Sequence, residues 1–242
     1  MGPAQAQRRR ILYGRRQGRK LRPGQRAVLE EYLPRLRLPL PPPGSALDLA
    51  RLFPSPKRDF WIEVGFGGGE HLAWQAEQHP DIGFLGCEPF VNGMATLLGR
   101  VKDLGLENVR VLDDDARALL ETLPENAVGR VFVLFPDPWP KRRHHKRRII
   151  QRATLDRLAF ALKDGAELRL ASDDPGYVRW MLWHALTHPD FDWLAETAGD
   201  WRQRPPDWPE TRYESKARRQ GHTCYFLRFK RRPRGSGRHE TS

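Results

Sequence analysis

Five apolar runs of strand length dominate the chain: FWIEV (60–64), IGFLGCE (82–88), VRVLD (109–113), VFVLF (131–135) and AELRLA (166–171). Between and after them lie helical patterns at Glu70 to Glu77, Val91 to Leu104, Ala116 to Leu120, Arg147 to Leu162 and Tyr177 to Thr187. Runs that are apolar throughout suit strands covered on both faces, which is the condition of a parallel sheet. Repeated β-α-β order therefore predicts an α/β, doubly wound sheet. TCYFLRFKRR (223–232) is a strand with no helix after it and can close the sheet antiparallel. The Trp-rich stretch from Asp192 to Trp208 is expected to cover one sheet edge.

At 242 residues, 39% hydrophobic, with eight Trp and eleven Phe, the chain can fill one sizeable core. Three regions are expected: a basic, flexible arm and Pro-rich spacer over 1–46, a folded domain over 47–232, and a disordered basic tail over 233–242. No apolar run approaches the roughly 20 residues of a membrane span, and no secretory leader is visible. Ala6 stands where a myristoylation motif wants Ser or Thr. Cys87 and Cys224 are too few for a disulfide framework or zinc cluster and read as packing residues in a reducing, cytoplasmic setting. The sequence is compatible with a monomer or a homodimer and carries no signature of an obligate protein partner.

The net charge is +12, and the excess lies in patches. Residues 1–29 hold nine Lys or Arg and no acid, and residues 141–152 hold seven more. An acidic polymer is the natural partner. A transit peptide is Arg-rich too, but residues 1–29 lack the Ser and Thr of that class.

Ligands of such sheets bind beyond the carboxyl ends of the strands. After the first strand, GFGGGEHL places Gly65, Gly67 and Gly69 in a tight turn before a helix. A dinucleotide fingerprint would put its third glycine at residue 70, where the chain has Glu70, and no Gly-Lys-Ser/Thr of a P-loop follows. G-x-G-x-G favours S-adenosylmethionine over NAD. Glu88, after the second strand, can accept from both hydroxyls of an adenosine ribose. Of Asp113, Asp114 and Asp115 after the third, Asp115 is chosen for the adenine because it directly precedes a helix, with the Ala116 amide beside it. No spaced ligand set makes the acidic run a metal site.

The fourth strand ends in FPDPWPKRRHHKRR. Pro136, Pro138 and Pro140 lack N–H groups and are expected to push Phe135, Asp137 and Trp139 toward extended backbone. The result is a stiff loop rich in acceptors, with Trp139 either stacking on a base or packing the loop. Acceptors without donors suit guanine, whose N1–H and exocyclic amine donate and whose N7 is nucleophilic without a general base. A fixed Asp137 carboxylate would favour the positive charge arriving on the purine. The basic block from Lys141 to Arg148 would hold phosphates of the same nucleic acid, with His144 and His145 as neighbours of those phosphates. His184 and His188, four apart on a helix, lack the companion acids of a metal pair.

RRQGR (15–19), EVGFGGG (63–69), GCEP (86–89), FPDPWPKRRHHKRR (135–148), the acid of ASDDPGY (171–177) and TRYESKARRQGH (211–222) together resemble the bacterial tRNA (guanine-N7)-methyltransferases of the TrmB type. The resemblance covers nearly the whole chain. It implies a Rossmann-like class I methyltransferase fold with a mostly parallel seven-stranded sheet and one antiparallel strand near the C-terminus. It further implies S-adenosyl-L-methionine as cofactor, tRNA as partner and 7-methylguanosine at position 46 of the variable loop as product. By resemblance, Glu63, Glu88, Asp115 and Asp137 are cofactor-binding acids and Asp137 the catalytic residue. From the residues alone, Glu63 is equally a cofactor acid or a structural one. Lys141, Asp173, Thr211, Arg212, Tyr213 and Glu214 match substrate contacts, the family spacing selecting Asp173 over Asp174. Arg143, His144, His145, Lys146, Arg147 and Arg148 match an RNA-interacting segment. Two rivals stand beside this reading. An amino-group methyltransferase would carry Asp/Asn-Pro-Pro-aromatic, and Asp137-Pro138-Trp139 lacks the second proline. A non-catalytic RNA-binding protein on the same fold would fail to bind cofactor.

Overall fold

The structure, a computed structural model, describes residues 14–42 and 44–235. In chain order its elements are α1 (Pro23–Leu36), β1 (Asp59–Val64), α2 (Glu70–Gln78), β2 (Ile82–Cys87), α3 (Val91–Leu104), β3 (Val109–Leu112), α4 (Ala116–Thr122) and β4 (Val128–Leu134). There follow α5 (Arg152–Ala161), β5 (Leu162–Ser172), α6 (Pro175–Leu186), β6 (Phe191–Trp193), α7 (Gly199–Arg202), α8 (Arg212–Arg219) and β7 (Tyr225–Arg231). The seven strands lie in the order β3-β2-β1-β4-β5-β7-β6. β1 to β5 pair in parallel, and β7 runs antiparallel to both β5 and β6. The strand order reverses between β1 and β4, which opens a crevice at their carboxyl ends.

The expected strands are present because their side chains fill both faces. One apolar layer joins Phe84, Leu72, Leu97, Phe132, Trp208 and Phe226; the other joins Ile62, Val131, Leu158, Leu168, Tyr177 and Phe229. β6, a strand not foreseen individually, opens the Trp-rich stretch. Phe191 is buried and Trp193 packs 4.9 Å from Phe229, so the short edge is fixed by aromatics. Farther on, Trp208 leaves the edge and sits 3% exposed over the sheet against Phe132 and Phe226.

The expected boundary at Leu47 and the flexible spacer before it give way to a docked segment. Val28, Leu29, Tyr32, Leu33 and Leu36 of α1 pack on the layer built from α2 and α3. The Leu38 N–H then donates to the Val111 carbonyl at 2.8 Å, and Leu47 to Thr122 at 2.7 Å. The apolar stripe of α1 runs on to Leu36, into the start of the Pro-rich stretch, which is why the segment adheres. The tail also differs from expectation at its start: Arg234 bonds the Phe160 and Leu162 carbonyls and pairs with Glu125. The remainder of the tail, 236–242, and the arm before residue 14 lie outside the described residues.

One helix expected over Arg147 to Leu162 is two elements. The basic block forms a 3-10 helix over Arg142–Arg147, and α5 begins only at Arg152. The break has a cause: the Gln151 side-chain amide donates to the Lys146 and Arg148 carbonyls, while Arg148 turns inward. Among the described residues no helix is long and apolar enough to cross a membrane.

Candidate active site

A cavity of about 350 Å³ lies beyond the carboxyl ends of the central strands, lined among others by Gly65, Gly67, Glu88, Asp115, Ala116 and Asp137. Its volume falls in the usual range for small-molecule sites. Glu88 is held there from two directions. Its own N–H donates to Leu112 on β3 at 3.0 Å, and its carboxylate accepts from the Gly67 N–H at 2.8 Å and the Phe90 N–H at 2.9 Å. Burial raises its pKa, and the two amides oppose that rise. Each oxygen keeps further acceptor capacity, which is what a pair of ribose hydroxyls requires.

The glycines divide their work. Gly65 has φ +73° and nothing within 4 Å of a Cβ built on it, so the open space there is the cavity. Gly67 has φ +55°, and a Cβ would stand 2.6 Å from the Tyr213 ring. Gly69 lies outside the cavity lining and caps α2, packed against Leu97. The three acids also separate. Asp113 pairs with Arg37 at 2.6 Å, Asp114 accepts from the Asp115 N–H, and Asp115 caps α4 by accepting from the Arg117 N–H at 2.9 Å. Only the last of the three lines the cavity.

Asp137 stands at the mouth, on a loop whose backbone departs from expectation. Phe135 and Trp139 adopt φ +50° and +44°, in the left-handed region rather than extended. Pro136 and Pro140 disfavour the right-handed helical region for the residues before them. The chain must still turn at the strand end, where the Phe135 N–H bonds Ala171 at 2.8 Å. Left-handed non-glycine residues cost roughly 1–3 kcal/mol each and persist only where surroundings enforce them. Arg148 supplies enforcement: 4% exposed, it donates from Nε to the Pro138 carbonyl at 2.8 Å and lies 4.9 Å over the rings of Tyr177 and Trp180. Arg147 sits 4.9 Å over the Trp139 ring. Protein packed around the Asp137 carboxyl raises its pKa by desolvation, although the residue stays open to solvent at the mouth.

A family profile described as "Putative methyltransferase" matches residues 57–227. The tRNA (guanine-N(7)-)-methyltransferase of Rhodospirillum rubrum is 50% identical over 93% of this chain and 89% of its own. That of Paramagnetospirillum magneticum is 52% identical over 96% of this chain and 97% of its own. The chain belongs to the tRNA (guanine-N(7)-)-methyltransferase family. Among solved structures, an rRNA methylase from Streptococcus thermophilus superposes with a TM-score of 0.50 at 12% identity, covering 72% of this chain and 87% of that one. At that identity the likeness concerns the fold, which is the class I methyltransferase architecture implied by the strand order.

The family's motif residues are brought together unevenly. Tyr213, at the start of α8, lines the cavity over Gly67. Its neighbours Thr211 and Glu214 do not reach it: Thr211 caps α8, and Glu214, 1% exposed, pairs with Arg204 at 3.1 Å and Arg218 at 2.8 Å. Arg212 is exposed beside them. Asp173 accepts from or pairs with His222 Nδ1 at 2.9 Å in a groove that includes Pro138, whereas Asp174 is committed to capping α6. The chain thus separates the two acids that the sequence left open.

Lys141, Arg143 and Lys146 are exposed on or next to the 3-10 helix. His144 packs on Trp139 and His145 on Trp180. Desolvation, then the surrounding cations, lowers the His144 pKa. Arg148, expected at a phosphate, is instead the buried brace of the loop.

Glu63, expected as a cofactor acid by resemblance, is 3% exposed at the end of β1, meets His71 Nδ1 at 2.7 Å and is not among the residues that line the cavity. His188, 0% exposed, bonds Asp156 at 3.0 Å, and no group of metal-ligating residues occurs among the described residues.

Sequence reasoning missed the arm's place in the site. Gly14 and Arg15 line the cavity. The segment is pinned by Val91 N–H to the Arg16 carbonyl (2.9 Å), Gly18 N–H to Asn92 Oδ1 (2.7 Å) and Asn92 Nδ2 to the Arg19 carbonyl (2.8 Å). Gly18 within RRQGR was the available signal, since a Cβ there would fall 2.8 Å from Phe90.

Proposed function

We propose that the chain transfers a methyl group from S-adenosyl-L-methionine to N7 of a guanine in tRNA, at position 46 of the variable loop, and that it does so in the cytoplasm. The observation that carries this reading is the juxtaposition in one cavity of Gly65, Gly67, Glu88 and Asp115 with Asp137 of the FPDPWP loop. The cradle fits the cofactor's chemistry: a carboxylate with two oriented oxygens for a ribose, a second acid and an amide beside it for an adenine, and open space in front of Gly65. Bound there, S-adenosyl-L-methionine supplies an electrophilic methyl on a sulfonium.

The protein's own part is orientation and electrostatics. Asp137 is held at the mouth before the substrate arrives, so its carboxylate stabilises the positive charge the purine gains without reorganising. Guanine N7 carries a free lone pair, and no base has to remove a proton. Loop carbonyls and Asp173 accept from the donors on the guanine edge. Lys141, Arg143 and Lys146 grip phosphates next to the loop, fixing where the base lies relative to the methyl. Arg148, Glu214 and Glu63 serve one step back, bracing the loop, α8 and the glycine turn.

Unmodified tRNA incubated with labelled methyl donor and then treated with borohydride and aniline tests this directly. Label with chain scission at one guanine of the variable loop is expected. Label without scission would reject N7, and label elsewhere in the tRNA would reject the position.

A further inference from the structure

α6 carries an aromatic surface that the fold does not use. Its inward stripe, Tyr177, Val178, Met181 and Ala185, is buried, while Trp183 on the opposite side is 64% exposed and Leu186 50% exposed. An exposed tryptophan alone would be ordinary, but one that lines a groove marks a candidate interaction site. Trp183 forms one wall of a groove of about 630 Å³ between α6 and the basic 3-10 helix, with Pro140, His145, Arg148, Arg179 and Trp180.

We propose that this groove is a stacking platform for an unpaired nucleobase of the RNA substrate, with Trp183 as the stacking ring and Arg179 at an adjoining phosphate. The proposal rests on the reading that the substrate is tRNA. The rings are preorganised: the Trp180 Nε1–H donates to the Ile150 carbonyl at 2.6 Å, and His184 packs 4.4 Å from Trp180 and 5.0 Å from Trp183. Burial, then the nearby Arg148, lowers the His184 pKa.

The groove's chemistry favours a nucleotide over an apolar protein surface. Trp180, Trp183 and His145 line it together with Arg148 and Arg179, the composition of single-strand stacking sites. Its one acid, Asp174, is turned to the α6 N-terminus, accepting from the Tyr177 N–H at 2.7 Å. The position is apt as well. Pro140 ends the catalytic loop and Arg148 bonds Pro138 within it, so a base held here stays in register with the guanine at Asp137.

The test is tRNA affinity at several salt concentrations for wild type, Trp183→Ala, Trp183→Phe, Arg179→Gln and the control Leu104→Ala, whose side chain is exposed far from the groove, with molar mass by light scattering. Loss of one base–aromatic stack should weaken binding roughly 5- to 150-fold in Trp183→Ala. Its salt slope should stay parallel to wild type, because an uncharged ring releases no counterion, while Arg179→Gln should lower the slope by about 0.7. Trp183→Phe should keep most of the affinity and Leu104→Ala all of it, with molar mass and cofactor affinity common to the set. Wild-type affinity in Trp183→Ala would overturn the proposal. So would a change of molar mass that accounts for the loss, which would make the face a contact with a second copy. If wild type itself leaves tRNA N7 unmethylated, the functional reading fails and the platform with it; if wild type methylates and Trp183→Ala binds normally, only the platform fails.

Discussion

The two halves of the cavity are built differently. The cofactor half hangs on strand ends: Glu88 follows β2 directly, is tied to β3 through its backbone, and receives two amides in its carboxylate. The substrate half hangs on loops: FPDPWP bends through two left-handed residues, is braced by Arg148 and is bordered by Tyr213 from a distant segment, while Asp173 and His222 line a separate groove with Pro138. The first half therefore controls binding by geometry the sheet already owns, while the second stores strain that side chains must hold. Damage should follow the same line, affinity for one half and rate for the other.

The largest effect should come from Asp137→Asn. Removing one preorganised electrostatic group lowers turnover by roughly a hundred- to a thousandfold, while calorimetry should show cofactor affinity little changed. The same carboxyl sets a pH dependence. Burial holds its pKa above the ordinary carboxylate value, and in the proposed role only the ionised form would stabilise the positive purine. Hence kcat/KM should fall as pH drops through that raised value and level off above it, and Asp137→Asn should lose this acidic limb.

Glu88→Ala comes next and should break the other half. It removes a charged acceptor, so the cofactor Kd should rise by about 1–3 kcal/mol in free-energy terms. At saturating cofactor, turnover should largely recover. Arg148→Met sharpens the contrast from the loop side. It deletes the Pro138 brace at a residue that does not line the cofactor cavity, so kcat should fall by less than in Asp137→Asn, with cofactor Kd unchanged by titration.

The smallest effect concerns the arm, whose charge suggests diffuse attraction but whose Gly14 to Arg19 segment reaches the cofactor cavity. Gly18→Ala separates the two roles. Every charge is retained, yet the added methyl meets Phe90 and Asn92, so the segment should lift. Cofactor affinity should drop several-fold with the salt dependence of tRNA binding intact. Deleting residues 1–22 should lower cofactor affinity and flatten the salt dependence as well.

The same contrast explains what the sequence revealed. Strands, glycine turn, Glu88 and Asp115 follow from periodicity and from the rule that ligands meet strand ends, so they were legible residue by residue. Tyr213 and Asp173 entered only through family resemblance, because nothing local brings residue 213 over Gly67. The burial of Arg148 and Glu63 was not legible, because nothing local in a functional motif tells which of its charged residues turn inward to a protein partner. The left-handed Phe135 and Trp139 were missed because proline rules exclude conformations without choosing among those left. The docking of α1 was hidden by the prolines that follow it, although its apolar stripe was present.

Single-turnover methyl transfer, with cofactor and tRNA both saturating, tests the division most directly when wild type, Asp137→Asn and Glu88→Ala are compared. The account predicts a rate within a few-fold of wild type for Glu88→Ala and a loss of roughly a hundredfold or more for Asp137→Asn. Equal losses in the two variants, or a near-normal rate in Asp137→Asn, would contradict it.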